Sequence, residues 1–202
     1  EATKKINSVN SLYRNELGEL CAGNTDGMAA LNCIEKKFFM NLKQPSNILV
    51  LGGGGVGKAV ISFLHDQFLI AKNNIQLFNS SRKKDISFES KFNNCKFVEW
   101  GERNQVVNSS TLIINCTSMG DYENIDLIPL DIREITKDKY PFGIYDVIYN
   151  PLKSKLIKFA EENNIIYENG LEMNLLQAAI AFKLATRVSD SVEDISLVMS
   201  KD

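Results

Sequence analysis

Asn47-Ile48-Leu49-Val50-Leu51-Gly52-Gly53-Gly54-Gly55-Val56-Gly57-Lys58-Ala59-Val60-Ile61 is the stretch around which the rest of this chain is organised. Ile48 to Leu51 is a compact apolar strand, and it runs directly into G-x-G-x-x-G and then into a helix-compatible segment. In that order the glycines have separate uses. Gly52 permits a tight turn, Gly54 lets the backbone approach a pyrophosphate, and Gly57 allows close helix packing, while the helix N-terminus offers unpaired N–H groups to an anion. Glycines also make plain turns. The apolar strand in front of these favours a dinucleotide site, with Gly52, Gly53, Gly54, Gly55 and Val56 around the phosphates.

Working outward, short strands are expected at 75–78, 96–99, 111–115, 143–148 and 165–167, with helices at 55–68 and 154–162. Strands with fully apolar cores, alternating with helices, imply a parallel sheet covered on both faces. The fold class read here is therefore α/β, a Rossmann-like doubly wound sheet. Upstream, 8–14 and 17–22 read as two strands around an Asn15-Glu16 turn, and 28–39 as a helix. Gln44-Pro45-Ser46 breaks the pattern, so the main domain is placed from 45. Two helices, 172–186 and 192–199, close the chain.

The second strand of the sheet leads to Asn79, where an NAD-preferring domain usually carries an acid for the ribose 2′-hydroxyl. Here Asn79-Ser80-Ser81-Arg82-Lys83-Lys84 offers three bases and two hydroxyls, which suit a 2′-phosphate. NADP is expected over NAD, although a solvated basic turn would have the same composition.

Composition narrows the alternatives. The 202 residues are 44% hydrophobic and 24% charged, as in an ordinary globular protein. Their 23 basic and 25 acidic residues leave a formal charge of −2, so nucleic acid and anionic lipid are not expected partners. Cys21, Cys33, Cys95 and Cys116 form no C-x-x-C pair, and the one histidine, His65, sits among apolar residues. Neither a metal site nor a disulfide framework nor a Ser-His-Asp hydrolase is expected. No apolar run approaches the roughly 20 residues of a membrane helix, and a cytoplasmic location is expected. Oligomeric state is not legible.

Five ordered segments, the fifth in two parts, resemble the shikimate dehydrogenase family. Val9-Asn10-Ser11 resembles its V-N-T, and Asn24-Thr25-Asp26-Gly27 its N-T-D-G. The glycine loop follows, then Ile114-Asn115-Cys116-Thr117-Ser118-Met119-Gly120, similar to I-N-A-T-S-x-G. Asp146 to Pro151 resembles D-x-x-Y-x-P, and Gly170 to Gln177 resembles G-x-x-M-x-x-x-Q. The resemblance implies substrate contacts from Asn10, Asp26, Tyr149 and Gln177, with Asp26 catalytic beside a lysine. Beside the run Asn79, Ser80, Ser81, Arg82, Lys83 and Lys84 already read as a cofactor site, it implies cofactor contacts from Thr117, Met119, Val147, Gly170 and Met173. The implied reaction is reversible reduction of 3-dehydroshikimate to shikimate by NADPH, on the route to chorismate. Residues 1–44 would be the remnant of a substrate domain with a connecting helix, 45–171 the NADP domain, and 172–202 helices returning toward the substrate domain.

Judged by residue type alone, Asp26 before Gly27 would serve equally well as a helix cap, Gln177 as a partner for backbone, and Tyr149 as a strand-end aromatic. The sequence also departs from the family. Asn79-Ser80-Ser81 stands where N-R-T is common, so a stacking arginine is absent and Arg82 would have to compensate. The chain opens on Glu1 with a strand close behind, and the family's serine pair and lysine before V-N-T have no counterpart, Lys4 and Lys5 lying too near Asn10. Poor turnover by these 202 residues alone is therefore expected. A quinate dehydrogenase of the same family and a non-catalytic NADP-binding module are the competing readings.

Overall fold

Asn15 turns the chain back on itself. Its Oδ1 accepts from the amides of Leu17 and Glu19, and Gly18 takes a φ of +78°. β1 (Ser11–Arg14) and β2 (Leu20–Gly23) consequently pair antiparallel, with Ser11 opposite Gly23. The turn is longer than the expected Asn15-Glu16 pair and the strands shorter, because Asn15 holds the residues through Glu19 in a side-chain-capped loop. The computed structural model describes residues 5–39, 46–66, 75–92, 95–139 and 141–201.

α1 (Asp26–Ile34) follows and continues as one π-helical stretch, Glu35–Phe39. The remaining elements alternate: β3 (Ser46–Leu51), α2 (Gly55–Leu64), β4 (Ile75–Ser81), α3 (Ile86–Glu89), β5 (Cys95–Glu99), α4 (Arg103–Val107), β6 (Leu112–Asn115), β7 (Gly143–Asp146), α5 (Lys155–Glu162), β8 (Ile166–Glu168), α6 (Leu171–Thr186) and α7 (Val192–Met199). β3 to β8 form one sheet in the order β5-β4-β3-β6-β7-β8, every pair parallel. This is the doubly wound sheet expected. Its order reverses between β3 and β6, and that switch point opens a crevice at the carboxyl ends of the strands.

Strand periodicity divides the core. Ile48, Val50, Leu112, Ile114 and Tyr145 face Ala30, Ile34, Ile61, Met173 and Leu176, so α1, α2 and α6 cover one side. Leu49, Leu51, Ile113 and Ile144 face Leu130, Leu156, Phe159 and Ala160 on the other. Residues from the first segment, Ile6 and Ala29 among them, share the first of these cores with the sheet.

Several boundaries move. β4 continues to Ser81 because Asn79, Ser80 and Ser81 stay in register with Phe97, Val98 and Glu99 of β5. The expected helix at 55–68 leaves α geometry after Leu64, and positions 67 and 68 lie outside the described residues, as do Lys4, Gln44 and Pro45 of the earlier readings. The short helices α3 and α4 were not anticipated. Among the described residues no helix is long and apolar enough to cross a membrane.

Candidate active site

The glycine loop is shaped by two close approaches. Gly52 has a φ of +107°, and a side chain there would meet Cys116 O at 2.7 Å. At Gly57 an added Cβ would lie 2.4 Å from Gly52 O, so only glycine lets α2 start this close to the end of β3. Gly54 caps α2 without a side-chain hydrogen bond, leaving the first amides of the helix without intrahelical acceptors. Next to this loop lies a cleft of about 370 Å³, bounded by Gly52, Gly53, Gly54, Ser81, Arg82, Lys83, Trp100, Cys116, Thr117, Ser118 and Met119. A helix N-terminus, open backbone and two adjacent cations fit the phosphates of a dinucleotide.

Part of the expected cofactor set is placed elsewhere. Asn79 and Ser80 do not face the cleft, because the longer β4 carries them into the sheet interior. Asn79 donates from Nδ2 to Val50 O and Gly52 O, bracing the loop from behind. Lys84 lies outside the cleft lining and approaches Glu99 at 3.9 Å, leaving Arg82 and Lys83 as its bases.

A second pocket, about 210 Å³, is lined by Asn10, Asp26, Val56, Val147, Tyr149, Gly170, Met173, Asn174 and Gln177. The four expected substrate residues therefore meet in one place, although 167 positions separate the first from the last. Asn10 Nδ2 donates to Thr25 Oγ1 at 3.0 Å and to Asp26 Oδ1 at 2.8 Å, while its Oδ1 accepts from the Thr25 amide. Thr25 Oγ1 in turn donates to Gln177 Oε1 at 3.3 Å. The cap role considered for Asp26 falls to Asn24, whose Oδ1 accepts from the amides of Asp26 and Gly27. Burial lifts the Asp26 carboxyl above its ordinary carboxylate value, opposed by the Asn10 hydrogen bond.

The two pockets are joined through a buried carboxylate. Asp146, fully buried at the end of β7, accepts from Asn115 Nδ2 at 2.9 Å, Ser154 Oγ at 2.6 Å and the Ile148 amide. Asn115 Oδ1 accepts from both the amide and hydroxyl of Thr117, and Ser154 caps α5 through the Ile157 amide. One side chain thus orients the Thr117–Met119 loop and the Val147–Tyr149 segment. Burial pushes its carboxyl up to about 6, against its three hydrogen bonds. Burial raises the Cys116 thiol above its ordinary value, as do the charges of Asp146 and Asp26. Lys5 is held by Asp66 at 2.9 Å and does not line the second pocket.

Sequence reasoning missed Trp100, Cys116, Ser118 and Asn174. Trp100 and Asn174 matched no motif, but Asn174 lies three residues before Gln177 on a helix, a spacing that puts both on one face.

No protein-family model matches the chain. Over 209 residues it is 30% identical to a shikimate dehydrogenase (NADP(+)) of Methanosphaera stadtmanae, covering 100% of this chain and 70% of that protein. A shikimate dehydrogenase (NADP(+)) of Pyrococcus abyssi is 33% identical over 198 residues, which cover 96% of this chain and 67% of the relative. Among solved structures, a shikimate dehydrogenase in complex with NADP+ superposes with a TM-score of 0.77 at 26% identity, over 99% of this chain and 68% of that one.

Proposed function

The chain belongs to the shikimate dehydrogenase family, and from that premise we propose that it is an NADP-dependent oxidoreductase interconverting shikimate and 3-dehydroshikimate. The observation that carries this reading is the convergence of Asn10, Asp26, Tyr149 and Gln177 in one pocket beside the glycine loop. The cofactor, when bound, supplies or accepts the hydride at the ring carbon. Gly52 to Val56 would hold its pyrophosphate, Arg82 and Lys83 its 2′-phosphate, and Val147, Gly170 and Met173 would border its nicotinamide. The amides of Asn10 and Gln177 and the phenol of Tyr149 suit a polyhydroxylated ring, each offering a donor and an acceptor. Asp26 is the residue this chain supplies to proton transfer, where the family resemblance pairs it with a lysine. Burial raises the Asp26 carboxyl above the ordinary carboxylate value, against the Asn10 hydrogen bond.

The test is initial-rate kinetics of shikimate oxidation with NADP+ and with NAD+, for the native chain and for Asp26→Asn. NADP+ is expected to be the better cofactor, and Asp26→Asn to lower kcat by about 10²–10⁴-fold with little change in cofactor affinity. Equal use of NAD+ would remove the role of Arg82 and Lys83, and an unchanged kcat that of Asp26. Quinate in place of shikimate, run in the same assay, reads out the related specificity.

A further inference from the structure

Trp100 is the one tryptophan of the chain, and it stands where β5 gives way to a short 3₁₀ turn, at the carboxyl end of the sheet. Its ring is partly buried against the second core, yet it also lines the cleft beside the glycine loop. The ring is backed by a fixed cation. The Arg103 guanidinium lies 4.1 Å from the ring centroid and is itself pinned by donating to Pro129 O at 2.6 Å and Trp100 O at 2.5 Å. Arg82, exposed and on the cleft rim, stands 5.5 Å from the same centroid. A tryptophan used only as filler would be expected to bury its ring and find a partner for the indole N–H. Among the described residues no hydrogen bond involves that N–H.

β3, β4 and β5 form the first half of the doubly wound sheet, the half that takes the adenosine side of a dinucleotide when one binds. The glycine loop ends β3, Ser81 and Arg82 end β4, and Trp100 ends β5, so the three line one side of a single cleft. We propose that Trp100 is the platform for the adenine base of the cofactor, with Arg103 as its immobile backing and Arg82 as the movable cation beside it. This rests on the dinucleotide reading of the cleft. It assigns a stacking wall to a residue outside every motif.

With a single tryptophan, intrinsic fluorescence reports on this wall alone. The experiment titrates the native chain with NADP+, with adenosine 2′,5′-bisphosphate and with nicotinamide mononucleotide, following tryptophan emission and heat of binding in parallel. NADP+ and the adenosine bisphosphate should quench the emission, and nicotinamide mononucleotide should not. Trp100→Phe should keep most of the NADP+ affinity, while Trp100→Ala should lose about ten-fold, the size of one base–aromatic stack. Heat of NADP+ binding with unchanged emission overturns the assignment and leaves the cofactor cleft standing. Absence of any heat from all three ligands overturns the cleft itself. Should Trp100→Ala not fold, the quenching pattern of the native chain decides alone.

Discussion

Gly54 is the residue at which fold and ligand requirements separate. Its φ of −74° is open to any residue, and a Cβ placed there would meet nothing within 4 Å. Gly54→Val should therefore cost less than about 1 kcal/mol of stability. It should nevertheless weaken NADP+ binding more than about ten-fold, because the new side chain occupies the space in front of the free amides of α2. Gly57→Ala is the converse control, since its methyl would lie 2.4 Å from Gly52 O and should lower the melting temperature. Calorimetry and thermal denaturation of both variants check the pair; undiminished affinity in a folded Gly54→Val protein would mean that the loop holds no phosphate. At this scale the loop was legible because Gly52 takes a positive φ and Gly57 meets Gly52 O five residues away. Asn79 was not, because nothing local distinguishes a cleft-facing amide from one donating to Val50 O and Gly52 O across a strand pair.

Between elements, Asp146 links the ends of β6 and β7 to the start of α5. Its folded-state pKa of about 6 lies above the ordinary value of 3.8, so protonation favours the folded state. The stabilisation this gives is complete below about pH 4, is lost as pH rises toward 6, and amounts to on the order of 3 kcal/mol. Asp146→Asn removes that titration, whereas the lowered carboxyls of Asp66, Asp85 and Asp131 titrate in both proteins and cancel in a difference. The melting temperature of the native chain minus that of Asp146→Asn should thus become more positive between pH 7 and pH 5; a constant difference would show that Asp146 does not titrate there. Element types around this hub were readable, because β6 and β7 are apolar on both faces and α5 follows a Ser154 cap. Their ends were not. Ile148 was expected inside β7, but the strand closes at Asp146, whose carboxylate takes the Ile148 amide from the ladder.

Across the whole molecule, the β1–β2 hairpin stands outside the main sheet and is moored to α6 at two places. Thr25, just beyond β2, meets Gln177, while the Arg187 guanidinium, past the end of the same helix, donates to Arg14 O at 2.7 Å and to Asn15 O. Arg187→Ala should raise the KM for shikimate about three- to ten-fold through Asn10, with the KM for NADP+ unchanged. Equal effects on both constants would show that the mooring is not specific to the substrate side. Such long-range ties have no periodicity and leave no trace in a sequence. The same holds for the arrangement of the helices themselves. Asp26 opens α1, Val56 lies in the first turn of α2 and Gly170 caps α6, and all three line the pocket that holds Asn10 and Gln177. Three macrodipoles thus point their positive poles at one spot, each equivalent to roughly half an elementary charge. Those partial charges belong to the peptide backbone, so no single side-chain replacement removes them.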